Sequence, residues 1–459
     1  MAGQPASRRA VLGAVAGVVV GGVVGAVAGS SLFPREVTKE VVRERTVERT
    51  ATQVVERTVE RTVTQPVLRP TVNAGDFTWK ESGKTNIVVV GAGPAGIMFS
   101  KSIAETMKDR VTVTVIDRNL FWVSGPSHSE FVPGIKKPEQ VTMTFEKALR
   151  PGMRLINANV VQLLPDERTV YTNYGYTKYD ILVLAPGIEL ASWEIQGLNK
   201  ARNLHAYDPV RAVMLKQELE RVSSGNVVFS VPPTPYKCPP GPYEVVMLAR
   251  DYLMEQGKGD KVNVIVLDAN PGPQPPPKAA YFREAMTKLG IDYRPNFKIA
   301  EVNPETKEVI SAAGEKVKYE VLSILPPNVA PSFIREAGLG TPYMEVDPAT
   351  FRSRKYDDIY GIGDAILAPY TKSMYVAMRS GRRLAEMIAE RLGASKPEKT
   401  SVYNVCWTYV NKRELTAIEV EWDDKGAVKA GFPRVGPPTA ENFAKRQEWE
   451  KASLLALYG

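Results

Sequence analysis

Cysteine and histidine are scarce in this chain of 459 residues, which contains two residues of each type. Cys238 and Cys406 cannot alone form a Cys₄ zinc site or hold an iron–sulfur cluster, and no C-x-x-C-H motif exists for covalent c-type haem. His128 and His205 offer little for a metal site, so no metal is expected. The cysteines stay open to two interpretations, a structural disulfide or a reactive pair.

A basic block interleaved with aromatic residues is also missing, so nucleic acid is not an expected partner. The formal charge of +8 is a mild excess that suits an anionic substrate or an ordinary solvated surface. A hydrophobic fraction of 44% is typical of globular proteins, and the length predicts two to three domains.

The single long uncharged run is at the N-terminus, from Ala10 to Phe33, and it follows Arg8 and Arg9. This pattern predicts a twin-arginine signal in residues 1–34 and therefore an extracytoplasmic body, in the periplasm or on the outer face of the cytoplasmic membrane. The alternative is an ordinary transmembrane helix that begins with two arginines. Ala26–Ala28 is an acceptable cleavage site, but the run is long enough to remain as a membrane anchor.

Residues 35–83 are interpreted as a low-complexity stalk. The segment 41–53 is nearly repeated by 54–65, with balanced charge and too little apolar surface for a core of its own. Apolar residues recur every four positions, which permits a helix, although the density of β-branched residues weakens that prediction. Self-association of this segment is the second possibility.

A dinucleotide-binding motif opens the globular part. Gly91, Gly93 and Gly96 form G-x-G-x-x-G between a predicted strand and a predicted helix, and Asp117 ends the next strand. In this context the glycines bring backbone close to a pyrophosphate and the acid accepts hydrogen bonds from ribose hydroxyls. The predicted cofactor-binding residues of this half are Gly91, Gly93, Pro94, Ala95, Gly96, Asp117, Arg118 and Val160.

Two later segments favour FAD over NAD. The turn in 179–190, with Ala185 and Gly187, resembles the turn that closes the first half of flavoproteins with two dinucleotide-binding domains. The segment 356–369 resembles their second FAD signature, which predicts roles for Gly363, Asp364 and the following Lys372. An NAD-only domain would leave this last signature unexplained.

A second Rossmann-like unit is predicted at 226–338, with Asp268 in the place of a ribose acid. Its strand-to-helix turn has no glycine motif and reads "VPPTPYKCPPGPYEVV" instead, so we interpret it as a degenerate NADH-type domain. The predicted fold is α/β: a discontinuous FAD-binding domain (84–225 and 339–395), this second domain, and a C-terminal α+β region (396–459) that carries Cys406.

The segments "PYKCPPGPYE", "SILPPNVAPSFIREAGL", "GIGDAILAPYTKSMY" and "SVYNVCWTYV" together resemble the flavoprotein subunit of flavocytochrome c sulfide dehydrogenase, a relative of sulfide:quinone oxidoreductase. The resemblance implies that Cys238 and Cys406 form a redox disulfide over the flavin. It also implies that Glu244 handles protons near the disulfide and that Lys372 contacts the flavin. Ser124 stands where the family's cysteine forms the thioether to the flavin, which predicts non-covalent FAD.

The resemblance implies a sulfide dehydrogenase in which hydrosulfide attacks the disulfide by thiol–disulfide exchange, FAD takes two electrons, and a c-type cytochrome accepts them. The alternative acceptor is quinone, as in sulfide:quinone oxidoreductase. A hypothesis of another class is a non-catalytic, membrane-anchored flavoprotein that acts as a binding or assembly subunit.

Overall fold

The computed structural model describes residues 39–50, 53–64, 75–395 and 399–459. The predicted twin-arginine signal and hydrophobic segment in 1–34 lie outside these residues. The chain divides into two units, Met1–Thr71 and Val72–Gly459. Among the helices in the described ranges, none has the length and apolar character to cross a bilayer.

The repeats of the first unit form an antiparallel pair of strands, Lys39–Thr50 and Gln53–Thr64, rather than a helix. The register pairs Lys39 with Thr64 and Thr50 with Gln53. Valine and threonine, which make up half of the residues in the two strands, have stiff side chains that favour strands over helices.

A five-stranded parallel sheet forms the core of the first nucleotide-binding domain. From one edge to the other, its strands are Ile359–Gly361, Ile181–Leu184, Thr85–Val90, Val111–Asp117 and Met153–Asn157. Numbered along the chain, this order is that of a Rossmann sheet, in which ligands bind beyond the carboxyl ends of the strands. Because the edge strand Ile359–Gly361 comes from a distant part of the chain, the domain is discontinuous.

The second domain repeats the same topology with four parallel strands. In spatial order they are Asp292–Arg294, Val262–Asp268, Gly225–Val231 and Val321–Ser323. Its central strands are buried along most of their length, which explains why they read in the sequence as continuous apolar runs.

The C-terminal region is an antiparallel sheet with a helix against it. Its strands are Val402–Tyr409, Leu415–Trp422 and Arg434–Thr439, and Cys406 is paired with Ile418. This sheet and its helix complete the predicted α/β architecture with an α+β C-terminal region.

Eight α-helices, numbered in chain order, connect and cover these sheets in the described residues. They are α1 Pro94–Met107, α2 His128–Phe131, α3 Pro209–Arg221, α4 Gly241–Glu255, α5 Ala279–Lys288, α6 Ser332–Glu336, α7 Met374–Arg391 and α8 Glu441–Tyr458.

Smaller strands form ribbons at the margins of the two domains. They are Phe121–Val123 with Thr142–Thr144; Val160–Leu164, Thr169–Thr172 and Tyr176–Lys178; Glu189–Leu190 with Asn328–Val329; Ile299–Asn303, Glu308–Ser311 and Lys316–Lys318; and Met344–Glu345 with Ile366–Leu367.

Candidate active site

A cavity of about 1020 Å³ runs from the carboxyl ends of the first sheet to the two cysteines. Every predicted cofactor-binding residue lines it except Gly96, and all three predicted catalytic residues line it as well. The lining residues predicted from the sequence are Gly91, Gly93, Pro94, Ala95, Asp117, Arg118, Val160, Ala185, Gly187, Cys238, Glu244, Gly363, Asp364, Lys372 and Cys406.

The glycine loop leaves no room for side chains at its first and third glycines. A Cβ on Gly91, whose φ is +103°, would lie 2.3 Å from the carbonyl oxygen of Ala185. A Cβ on Gly96 would lie 1.9 Å from the carbonyl oxygen of Gly91, so Gly96 serves helix packing and not the cavity wall. Helix α1 then begins at Pro94, and its first turn offers unpaired N–H groups to an anion.

Asp117 and Asp364 place carboxylates in the part of the cavity that the dinucleotide-binding loops line. Asp117 accepts hydrogen bonds from the N–H groups of Ala92 (2.7 Å) and Asn119 (2.8 Å), and burial raises its pKa. Each of its oxygens keeps a lone pair for a ribose hydroxyl. Asp364 has a buried Oδ1 without any partner, which is rare unless a ligand or water completes it.

Lys372 and Ser373, which precede α7, also line the cavity. The Ser373 side chain caps α7 by accepting from the N–H of Val376 (3.2 Å) and donates to Asn404 Oδ1 (2.7 Å). The Lys372 ammonium donates to the carbonyls of Asp364 and Ile366, and burial lowers its pKa to about 8. The glycine cradle, the ribose acid and the unpartnered Asp364 oxygen fit a flavin dinucleotide.

Cys238 lies in a turn that is fixed at several points. Its φ of +49° is uncommon for a residue other than glycine. Its N–H donates to the Lys372 carbonyl (2.7 Å), and its own carbonyl accepts from the N–H of Gly241 (2.8 Å). A Cβ on Gly241 would lie 3.0 Å from Cys238 Sγ, so glycine makes room for the sulfur at the start of α4.

Cys406 reaches the cavity from the C-terminal sheet, so two regions far apart in sequence supply the thiols. Both cysteines are free and partly exposed in the structure, in contrast to the predicted disulfide. They are close enough to interact, because Cys406 is among the groups that raise the pKa of Cys238. Burial is the larger cause, and together these effects raise that pKa to about 12.

Glu244 is held in a buried ion pair. Its carboxylate accepts from both Nη atoms of Arg446, at 2.7 and 3.0 Å, and from the N–H of Tyr409 at 2.9 Å. The hydroxyl of Ser129 donates a fourth bond. The predicted proton-handling role stays a prediction, and the contacts show a carboxylate that organises the protein behind the cysteines.

The carboxylate at the end of the second strand of the second domain is fully hydrogen-bonded within the protein. Asp268 is completely buried and accepts from Tyr243 Oη (2.6 Å), Tyr293 Oη (2.7 Å) and both the N–H and the Nδ2 of Asn270 (2.8 and 2.9 Å). These four bonds use the accepting capacity of the carboxylate. An NADH ribose would find no partner at this residue.

Four side chains near the cavity were not assigned a role from the sequence. His128, His205 and Trp449 line the cavity. Each histidine has one buried ring nitrogen without a hydrogen-bond partner, and the buried Nε1 of Trp449 has none either. Lys278 is buried behind Cys406. These single residues do not form a sequence motif, so their place at the cavity becomes evident only in the folded structure.

Ser124 is buried and its hydroxyl donates to Glu450 on α8. The side chain therefore serves the contact between the first domain and the C-terminal helix. A serine at this place has no thiol for a thioether bond, and non-covalent binding of the cofactor stays a prediction.

Two sequence families match parts of the chain. One is described as the central part of the sulfide dehydrogenase [flavocytochrome c] flavoprotein chain and matches residues 212–326. The other, pyridine nucleotide-disulphide oxidoreductase, matches residues 85–228. The chain is related to these flavoproteins.

Similar whole proteins are mitochondrial sulfide:quinone oxidoreductases. That of Dictyostelium discoideum is 25% identical over 338 residues, which are 70% of this chain and 74% of that protein. That of Mus musculus is 26% identical over 318 residues, 64% of this chain and 69% of that protein. These matches support a flavoprotein related to sulfide:quinone oxidoreductases and do not single out the flavocytochrome c subunit.

The fold has solved counterparts. The sulfide:quinone oxidoreductase of the hyperthermophilic bacterium Aquifex aeolicus superposes with a TM-score of 0.69 at 18% identity, covering 82% of this chain and 91% of that one. This similarity confirms the predicted fold class.

Proposed function

We propose that the protein is an FAD-dependent sulfide dehydrogenase that uses Cys238 and Cys406 as a redox pair. The observation that carries the proposal is that both thiols open onto the cavity lined by the dinucleotide-binding loops. Hydrosulfide is a nucleophile suited to attack a disulfide by exchange. A bound flavin supplies the two-electron acceptor, and the chain's residues hold the sulfur atoms beside it.

The residues around the pair organise this chemistry in three ways. The turn at Cys238 fixes one sulfur through the backbone bond to Lys372. The ion pair between Glu244 and Arg446 supports the strand of Cys406 through the N–H of Tyr409 and the carbonyl of Trp407. Both cysteines stay partly exposed on the cavity, which leaves them accessible to a small anion such as hydrosulfide.

The proposal is tested by anaerobic titration of the purified protein with sulfide, following the visible absorbance of the flavin. We expect sulfide to bleach the flavin of the wild type and to leave that of Cys238→Ser and Cys406→Ser oxidised. NADH, the control donor, should leave all three proteins oxidised because Asp268 is fully bonded. Equal bleaching of the cysteine variants by sulfide would refute the proposal, and so would a wild type that does not respond.

We propose a c-type cytochrome as electron acceptor, because the match at residues 212–326 is to a flavocytochrome c chain. Quinone is the second candidate, favoured by the names of the similar whole proteins. Mixing sulfide-reduced protein with a c-type cytochrome or with a soluble quinone, under matched conditions, compares the two reoxidation rates. Faster reoxidation by quinone alone would assign the second function.

We further propose that FAD is bound without a covalent link and that the protein works outside the cytoplasm. Denaturation should release all flavin as FAD, since Ser124 cannot form a thioether. The extracytoplasmic location rests on the Arg8-Arg9 pattern. Substitution of both arginines by lysine should leave the protein in the cytoplasmic fraction, and unchanged fractionation would contradict this location.

A further inference from the structure

Lys278 is a buried cation without a carboxylate partner. Its side chain has no exposed surface, and its ammonium donates to Cys406 O (2.9 Å), Thr408 Oγ1 (2.8 Å) and Thr416 O (3.1 Å). No ion pair to Lys278 exists among the described residues. A buried charge without a counter-ion is costly, and such groups concentrate at functional sites.

The Thr408 hydroxyl links this cation to the sulfur of Cys406. Cys406 and Thr408 are two positions apart on one strand, so their side chains share a face of the sheet. The two side chains approach to 3.6 Å between Sγ and Oγ1. An ammonium can only donate, so Thr408 Oγ1 accepts from Lys278 and its own hydrogen is free to point at Cys406 Sγ. The hydrogen-bonded series therefore runs from the Lys278 ammonium to the Thr408 hydroxyl, and this hydroxyl can donate to Cys406 Sγ.

Among the described charged groups around the two cysteines, Lys278 is a cation near Cys406 that has no carboxylate partner. Glu244 and Arg446 neutralise one another in their ion pair. Lys237 acts on Cys238, whose pKa it lowers against burial. Burial lowers the pKa of Lys278 to about 8, and negative charge on Cys406, then on Glu244 and Cys238, opposes that effect.

In the part of the chain that the structure describes, no side chain donates a hydrogen bond to Cys238 Sγ. Pro239, Pro240 and Pro242 have no N–H, and the N–H of Gly241 is bonded to the carbonyl of Cys238. The start of a helix usually stabilises a nearby thiolate through its free N–H groups. Here Pro240 and Pro242 remove two of these donors and the N–H of Gly241 is already bonded, so this helix start offers Cys238 fewer donors than usual.

We propose, on the basis of the sulfide chemistry above, that Lys278 is a positioning residue that acts through Thr408 to make Cys406 the leaving thiolate and Cys238 the sulfur that hydrosulfide attacks. In this step a bond forms between the hydrosulfide sulfur and Cys238 Sγ while the Cys238–Cys406 bond breaks. Its electron pair stays on Cys406, which is reduced to a thiolate. The substrate sulfur is oxidised to a persulfide on Cys238 and keeps its proton.

The test measures alkylation of the two thiols in cofactor-loaded protein, reduced and freed of reductant under argon. Iodoacetamide labelling is followed over a range of pH, and peptide mass spectrometry reports each cysteine separately. Near neutral pH we expect Cys406 to react faster than Cys238. Lys278→Met and Thr408→Val should raise the pH midpoint for Cys406 and slow its alkylation near neutral pH about tenfold.

Thr408→Ser keeps the hydroxyl and should keep the wild-type midpoint. Lys101→Met is the matched control, because Lys101 is another buried lysine that donates to carbonyls, those of Ala456 (2.8 Å) and Leu457 (3.1 Å). It should leave both midpoints unchanged. Each pH midpoint is compared with that of the same cysteine in the wild type. Unequal access of iodoacetamide to the two thiols therefore does not affect the comparison.

A Cys238 that reacts at the lower pH in the wild type would overturn the proposal. A Lys278→Met protein with the wild-type midpoint for Cys406 would overturn it too, by assigning the effect to Thr408 alone. If Lys278→Met does not fold, Lys278→Gln takes its place, and a wild-type midpoint for Cys406 in that variant would overturn the proposal. Alkylation needs no sulfide, so its outcome is distinct from that of the flavin-bleaching experiment.

Discussion

Two histidines at the cavity are held in their neutral form by the fold. Burial, with Lys237 as the second cause, lowers the pKa of His128 from 6.5 to about 3. Burial and the nearby Arg211 lower the pKa of His205 to about 4. Both rings keep an unpartnered nitrogen in the folded protein. A neutral ring there can donate or accept, depending on its tautomer, and adds no charge to the sulfur site.

These histidines predict a loss of stability in acid. The pKa of His128 is depressed on folding, so its contribution is complete above the unfolded value of 6.5 and is lost as the pH falls toward 3. Between pH 6.5 and about pH 4.5, the depressed pKa of His128 should lower the free energy of unfolding of the wild type by about 2 kcal/mol. We expect His128→Gln to remove this part of the decrease. Urea unfolding at the two pH values measures this difference.

His205→Gln provides the comparison within the same cavity and should remove a further part of the acid sensitivity. The double variant should have the flattest pH profile of the set. If the His128→Gln protein lost as much stability in acid as the wild type, His128 would be protonated in the folded state and the assignment would be wrong.

At the scale of elements, helices α1 and α7 are in contact at a point without room for a methyl group. A Cβ on Gly381 would lie 2.3 Å from the carbonyl oxygen of Ala95 and 3.0 Å from the nitrogen of Phe99. Helix α1 begins in the glycine loop, and α7 begins at the Ser373 cap. The spacing between these helices therefore sets the distance between two walls of the cofactor site.

We expect Gly381→Ala to push the two helices apart, lower the free energy of unfolding by about 1–3 kcal/mol and weaken flavin retention. Thermal unfolding and the ratio of flavin to protein absorbance after gel filtration measure the two effects. Arg382→Ala on the same helix is the control, because the Arg382 side chain is 64% exposed and pairs with Glu386 at 3.5 Å. Equal flavin content in both variants would contradict the argument.

The elements also show which parts of the site a sequence can predict. The glycine loop and Asp117 were predictable because a strand, a turn and a helix enforce their geometry locally. Lys278 was not, because its approach to Thr408 depends on how the second domain meets the C-terminal sheet. The paired strands Lys39–Thr50 and Gln53–Thr64 were difficult to predict for a different reason. A four-residue spacing of apolar residues permits a helix, but the structure follows the strand preference of valine and threonine.

At the scale of the whole molecule, Arg446 joins three parts of the chain. It lies on α8, pairs with Glu244 on α4 of the second domain at 2.7 Å, and lies 3.9 Å from Glu130 on α2 of the first domain. Its side chain is 4% exposed. Burial opposes the charge of Arg446, but Glu244 and Glu130 together hold its pKa well above the ordinary value.

This arrangement predicts that Arg446→Met destabilises the protein by about 3–5 kcal/mol, because Glu244 is left buried without a cation while Glu130 keeps Lys136 at 3.1 Å. Glu244→Gln in the same protein removes the stranded charge, so the double variant should be more stable than Arg446→Met alone. A double-mutant cycle from urea unfolding measures the coupling, and additive effects within about 0.5 kcal/mol would refute it. Because Arg446 also donates to the Trp407 carbonyl at 3.1 Å, limited proteolysis of the single variant should cut first in the C-terminal sheet that carries Cys406.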